Sequence, residues 1–309
     1  MKQRVNLVSK DNDSGLSVDL TVMTDVLTRL GHDVVRADFR DERMPECDAA
    51  VFLETPSEAL MPFARRTVFV PNPDRLDDDK AKLIDRFDQV WAKSETMRQL
   101  AGELGVRHLV VTGFATPDRA QPKKRKRQAV LHMAGRSTGK GTAEVVEAWH
   151  RHGADLPPLV ITADWDLSFL GLTVPQNATY LGHVDRQEAA NLLNTHAIHL
   201  LPSRAEGWGH GIVEGLLCGA QVITTNADPM NAHVRPEFGS LLPAADEDMS
   251  GPVRCKRVDP DDIAAAVGQA AALPAKDRAQ RGKLGRAHAL ARAKAFHAAV
   301  GTAMGDLLA

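Results

Sequence analysis

Cysteine is scarce: Cys47, Cys218 and Cys255 are the only three among 309 residues, and no two share a short spacing. That leaves neither a zinc-binding pattern nor a disulfide framework, and it suits a reducing cytoplasm. Aromatics are thin at 5%, with one tyrosine, Tyr180, so a base-stacking surface for single-stranded nucleic acid is not expected. No run reaches the roughly 18 apolar residues that a membrane span needs. The apolar stretch within residues 1–9 is too short for a leader peptide. A G-x-G-x-x-G turn after a strand is missing, which argues against a dinucleotide-dependent dehydrogenase. An excess of one charge is missing too. The formal net charge is −2, so the molecule as a whole is not built to bind a polyanion. The expectation is a cytoplasmic enzyme with no metal and no organic cofactor.

What is present is alternation. The length suits two lobes rather than one. Strand patterns at 4–9, 34–39, 49–54, 67–71, 89–92 and 108–114 are interleaved with helical patterns at 18–30 and 97–104. After a break the alternation resumes, with strands at 129–133, 159–163, 179–182, 198–202 and 221–225. Helices are expected at 141–150, 186–194, 211–218 and 260–272, a loop at 246–251, and a basic, alanine-rich helix from about 276 to near the end. Strands alternating with helices imply parallel sheets covered by helices. The fold class is therefore α/β, with lobes at 1–115 and 129–275, a basic linker at 116–128 and a terminal helix over 276–309.

Two segments carry chemistry. The first runs Ala134-Gly135-Arg136-Ser137-Thr138-Gly139-Lys140-Gly141-Thr142 between a strand and a helix. A glycine-rich turn there aims backbone N–H groups and the helix dipole at an anion. Arg136 and Lys140 add charged donors for phosphate oxygens. It is not a Walker loop: only three residues separate Gly135 from Gly139-Lys140, and Gly141 stands where Ser or Thr must follow the lysine. The second segment is Pro202-Ser203-Arg204-Ala205-Glu206-Gly207-Trp208-Gly209-His210-Gly211-Ile212-Val213-Glu214. Seven residues separate its two acids. Glu206 falls on a loop leaving a strand and Glu214 in the early turns of the next helix. A carboxylate accepts two hydroxyl hydrogen bonds at once, which suits a ribose diol at Glu214 and a sugar at Glu206. Each acid taken alone reads equally well as a helix-dipole or solvated loop residue.

Residues 202–219 resemble the E-x7-E signature of the retaining, family-four-like glycosyltransferases. Residues 133–143 are similar to that family's Gly-Arg…Lys-Gly phosphate motif. The resemblance covers 129–235 well and 1–115 loosely. It implies the GT-B fold, two Rossmann-like lobes with the active site between them, and metal-independent chemistry in which Arg and Lys replace a cation on the departing diphosphate. By position it implies that Arg136 and Lys140 hold the diphosphate, Glu214 the ribose and Glu206 the donor sugar. Gly135, Gly209, His210, Gly211 and Ile212 would present backbone to sugar and phosphate. Leu181-Gly182-His183-Val184 resembles the base-binding turn, with Val184 contacting the base through its main chain. The co-substrate implied is a nucleotide sugar, a UDP-sugar by preference. After Thr225, Asn226-Ala227-Asp228-Pro229 stands where the family often has a Gly-Gly turn, so the donor-sugar surroundings are expected to differ.

In the first lobe, Asp11-Asn12-Asp13-Ser14-Gly15 occupies the loop after the first strand, with Gly15 at a helix entrance facing the diphosphate by resemblance. Asp13 and Glu54 are candidates to bind the acceptor or act as base, or else are turn and cap residues. Lys123, Lys124, Arg125, Lys126 and Arg127 form five consecutive basic residues. With the basic terminal helix they suit either a solvated linker or an anionic acceptor, such as a lipid surface or DNA bearing hydroxymethylated bases. The alternatives are a nucleotide-sugar hydrolase or epimerase on the same fold, and a non-catalytic nucleotide-sugar or nucleic-acid binding protein.

Overall fold

The computed structural model describes residues 2–13 and 15–309. Met1, and Ser14 of the 11–15 loop singled out above, lie outside the described residues. The chain divides into two compact units. One comprises Met1–Pro117, Ser250–Val253 and Ala291–Ala309, and the other Asp118–Met249 and Arg254–Leu290.

The first unit contains β1 (Arg4–Val8), α1 (Gly15–Arg29), β2 (Asp33–Ala37), β3 (Cys47–Leu53), β4 (Ala64–Val70), α2 (Asp78–Leu83), β5 (Gln89–Ala92), α3 (Glu95–Glu103) and β6 (Leu109–Val111). The sheet is parallel, in the order β2-β1-β3-β4-β5-β6. Its core gathers Phe52, Phe69 and Phe87, with Phe87 stacked on Phe69 and edge-on to Phe52. Ser94 caps α3 by accepting from the Met97 N–H at 3.2 Å, the expected role of serine before a helix. The strand expected over 108–114 shortens to Leu109–Val111.

The second unit contains β7 (Arg127–Gly135), α4 (Thr142–His152), β8 (Leu159–Ala163), β9 (Ala178–Tyr180), α5 (Arg186–Thr195), β10 (His196–Leu201), α6 (His210–Leu217), β11 (Gln221–Thr225) and β12 (Gly239–Leu242). There follow β13 (Ala244–Ser250), β14 (Val253–Val258), α7 (Pro260–Ala272) and α8 (Ala275–Leu308). Six strands form a parallel sheet in the order β12-β11-β10-β7-β8-β9. Period-two alternation covers both of its faces. Val130, Ile161 and Ile198 pack with Val145, Trp149 and Ile263 on one side, while Leu131 and Val160 pack with Leu192 and Leu193 on the other. The 34 residues of α8 are shared: Ala275–Leu290 count with this unit and Ala291–Ala309 with the first.

The loop expected at 246–251 is a correction. β13 and β14 form a two-stranded ribbon outside both main sheets. One strand carries Asp246, Glu247 and Asp248, the other Arg254, Lys256 and Arg257. Cross-strand ion pairs, Asp246 with Lys256 and with Arg254, substitute for the apolar alternation that marks a buried strand. Among the described residues, no helix is long and apolar enough to cross a membrane.

Candidate functional site

A parallel α/β sheet offers a ligand crevice beyond the carboxyl ends of its strands, where the strand order reverses. In the second unit that point lies between β7 and β10, because the chain runs outward through β8 and β9 and then returns to the other side of β7. The two motifs read from the sequence are the loops that leave these two strands.

The first loop contains Gly135, the last residue of β7, then Arg136, Ser137 and a 3-10 turn over Thr138–Lys140. Gly141 follows in the left-handed region at φ 72° and opens α4. No side chain fits there, since a Cβ would lie 2.2 Å from the Pro202 carbonyl oxygen. The close approach explains why glycine, and not the hydroxyl residue of a Walker loop, follows Lys140. Behind the loop His132 is fully buried. Its Nδ1–H donates to the Leu200 carbonyl at 2.9 Å, and its Nε2 accepts from the Thr142 hydroxyl at 2.8 Å. The imidazole thereby ties the start of α4 to β10, and burial depresses its pKa to about 4.

The second loop is held by backbone. The Arg204 N–H donates to the Gly139 carbonyl at 2.9 Å, and the Thr225 hydroxyl donates to the Ser203 carbonyl at 2.7 Å. These bonds place Glu206 opposite Lys140. The ammonium and the Ser203 hydroxyl both donate to Oε1 of Glu206, at 2.5 and 2.7 Å. Gly209 caps α6 at φ 97°, a conformation a side chain resists, and His210, Gly211 and Ile212 form the first turn. Glu214 lies one turn further, its side chain 15% exposed, with Arg119 Nε 3.4 Å from Oε1. Burial raises the Glu214 pKa, while Arg119 and His210 oppose the rise.

Two partners, Asp164 and Arg119, were not legible in the motifs. Asp164, just after β8, lies 3.5 Å from Arg136 and accepts from His183 at 2.8 Å. His183 belongs to the turn that contains Val184, which packs against Leu131, Val160 and Leu192. Arg119 precedes both motifs. Its segment is held by Asn194, which donates to the Arg119 carbonyl at 2.9 Å, and by the bidentate pair of Arg286 with Asp118. Arg136, Lys140 and Arg119 are thus matched with Asp164, Glu206 and Glu214. Each cation is thereby oriented by a carboxylate. Among the described residues, no group of three His, Cys, Asp or Glu is placed to hold a metal.

In the first unit the corresponding point lies between β1 and β3. Gly15 is the exposed first residue of α1. Asp13 and Glu54 flank the crevice, and both adopt positive φ, 51° and 62°. Strain of this kind in non-glycine residues gathers at ligand sites. Glu54 is steered by a relay that the sequence did not signal. Asn72 donates to its Oε2 at 2.6 Å, Lys93 donates to Asn72 Oδ1 at 2.9 Å, and Lys93 forms a buried pair with Asp19 at 2.5 Å.

The five-residue basic run is not uniform. The Lys126 ammonium sits over the carbonyls of Leu193, Asn194 and His196 at 3.2–3.5 Å, at the C-terminal end of α5, where a cation is favoured. Burial lowers its pKa. Arg127 donates to His196 Nε2 at 3.1 Å. Lys123, Lys124 and Arg125 are exposed.

Comparison with known proteins gives the family and the fold. A family model described as glycosyl transferases group 1 matches residues 114–286, more than half of the chain. The chain is similar in structure to sucrose-phosphate synthase from Thermosynechococcus elongatus, with a TM-score of 0.75 and 14% identity over 99% of both chains. It is similar to HepE from Anabaena in complex with UDP and glucose, with a TM-score of 0.71 and 14% identity over 99% of this chain and 100% of that one. A glycosyltransferase from Rickettsia africae gives a TM-score of 0.71 at 13% identity over 96% of each chain. The two parallel six-stranded sheets are those of the GT-B fold. No curated protein matches the sequence.

Proposed function

The chain belongs to the glycosyl transferases group 1 family, and we propose that it moves a sugar from a nucleoside diphosphate donor, a UDP-sugar, to an acceptor hydroxyl. The observation that carries this reading is the Lys140–Glu206 pair at the point where the strand order of the second sheet reverses, with Glu214 in the helix that the Glu206 loop enters. In the reaction the bond from the anomeric carbon to the diphosphate breaks, its electrons leave with the diphosphate, and a bond to the acceptor oxygen forms as that oxygen loses its proton. Negative charge grows on the diphosphate, where Lys140 and Arg136 supply fixed positive charge. Lys140 moving onto phosphate frees Glu206 to accept hydroxyls of the sugar. Glu214 takes the ribose diol, the backbone from Gly209 to Ile212 meets sugar and phosphate, and Val184 meets the base. The chemistry is metal-independent and retains configuration at the anomeric carbon, both by analogy with the E-x7-E enzymes. The crystallised complex of HepE with UDP and glucose supports a UDP-sugar donor. Asp13 and Glu54 are the acceptor-side groups of the first unit.

For the acceptor, the candidate cations are the exposed Lys123 and Arg125 together with Lys124, whose ammonium reaches Asn191 on α5 at 3.2 Å, while Lys126 and Arg127 are engaged at the end of α5. The test is UDP release from a panel of nucleotide sugars, followed by the best donor offered to hydroxymethylated duplex DNA, anionic vesicles and small glycosides. Replacing all three cations by glutamine is expected to reduce transfer to a polyanionic acceptor most at low salt, and to make the salt dependence shallower by about three counterions. Equal transfer by the variant and the parent to every acceptor would assign the run to structure alone and leave a small neutral acceptor. No turnover with any donor would refute the reaction itself.

A further inference from the structure

The β13–β14 ribbon joins the core of the second unit at its base, where Val258 is buried and Ala244 packs against the cluster, and one of its edges reaches the donor loops. Glu247 on β13 pairs with Arg204, two residues before Glu206. The Lys256 N–H on β14 donates to the Arg204 carbonyl at 2.9 Å. The Arg204 N–H in turn donates to the Gly139 carbonyl at 2.9 Å, next to Lys140. Arg257 on β14 lies 3.2 Å from Glu144 in the first turn of α4 and 3.9 Å from Glu247. Arg204 is therefore a joint, with its amide on the phosphate loop and its carbonyl and guanidinium on the ribbon. Glu144 and Arg257 anchor the ribbon to the helix that the phosphate loop opens.

We propose that the ribbon is a clamp, in which Glu247 and Arg204 act as positioning residues that set the separation of Lys140 and Glu206. Neither side chain touches the donor. They act through the loop backbone, holding the acid and the cation within the tolerance that charge stabilisation of a departing diphosphate demands. This inference rests on the donor-site reading, so its test has one readout that needs no turnover. The acidic and basic strands also account for the composition of 244–258. Their charges pair with each other and with the loops rather than with solvent alone.

The variants are Glu247→Gln, Arg204→Met and the exchange Arg204→Glu with Glu247→Arg. Arg151→Gln, which breaks exposed pairs with Glu147 on α4 and Asp261 on α7, serves as control. Two quantities are measured: amide hydrogen exchange over residues 136–141 and 203–209, and kcat and KM for UDP release from UDP-glucose, UDP-N-acetylglucosamine, GDP-mannose and ADP-glucose. In Glu247→Gln, exchange in both loops is expected to quicken about tenfold with the sheet unchanged. The kcat is expected to fall about tenfold with KM nearly constant, and the charge exchange should restore part of both. Unaltered exchange in the two loops overturns the clamp whatever the activity. Exchange that quickens equally throughout the unit also overturns it, because general destabilisation then explains the effect. Loops that loosen in Glu247→Gln, together with a parent chain that turns over no donor, would leave the clamp standing and refute the proposed reaction instead.

Discussion

Lys140→Ala is expected to slow glycosyl transfer by about 10²–10³-fold while changing donor KM far less. That is the scale on which a donor aimed at developing charge acts in a site shielded from water. The lysine is held in position: its side chain is only 26% exposed and its ammonium is 2.5 Å from Glu206. As charge builds on the diphosphate, the ammonium gains more from phosphate than from a carboxylate whose charge is constant, so the transition state benefits more than the bound donor does. The variant also leaves Glu206, 13% exposed, without its cation and beside the phosphate path. Loss of rate and loss of carboxylate compensation therefore add. Initial rates with the best donor, in the presence of EDTA, check this directly. A strict requirement for Mg²⁺ or Mn²⁺, or a rise in KM that matches the whole loss, would mean that the phosphates are neutralised by something other than this side chain.

The second large effect is on stability at acid pH. His132 and His196 are both fully buried, and each has its pKa lowered to about 4, chiefly by burial. His199 lies well below the ordinary imidazole value for the same reason. Lys140 near His132, and Lys126 and Arg127 near His196, push in the same direction, against hydrogen bonds to the Leu200 and Leu192 carbonyls. A depressed folded pKa means that the unfolded chain binds the proton more readily. The associated stability is complete above the unfolded value near 6.5 and is lost as pH falls toward 4. For His132 and His196 the loss amounts to about 2 kcal/mol each by pH 5. Protonation of His132 also removes the acceptor for the Thr142 hydroxyl at the start of α4. Urea unfolding near pH 7.5 and near pH 5 should show the midpoint falling sharply. Replacing His132 by Gln should flatten the dependence. A midpoint indifferent to pH over this interval would contradict the neutral, buried imidazoles.

The parts of this site that could be read beforehand are local in sequence. Residues 134–142 and 202–214 each fit within one strand-loop-helix unit, so glycine placement and charge spacing expose them directly. The six strands of the first sheet and five of the second were legible for the same reason, since Val130 and Leu131 are buried on opposite faces, whereas β12, only four residues with Gly239 at its start, was not expected. What stayed hidden depends on pairing over long stretches of chain. Arg119 meets Glu214, Asp164 meets Arg136, and Asp19, Lys93, Asn72 and Glu54 assemble from four separate segments. Arg204 gained meaning only when Glu247 arrived from the ribbon. The ribbon itself escaped because its strands bury almost nothing, and polarity was the only signal in 246–251. The six-residue α2 was missed for the same reason: it buries no residue. The basic run misled in part. A row of charges looks alike in sequence, whereas Lys126 is half-buried over helix carbonyls and Lys123 faces solvent.

The central claim is that the second unit grips a nucleoside diphosphate with Glu214 on its ribose, and calorimetric titration tests it most directly. UDP, GDP and ADP are titrated into the parent and into Glu214→Ala. The result expected is binding of one nucleotide, UDP, by the parent, and a loss of at least about fivefold in the variant. That factor corresponds to about 1 kcal/mol for a lost hydrogen bond to a charged group. An affinity that is the same in parent and variant for every nucleotide, or no binding of any of them to the parent, would contradict it.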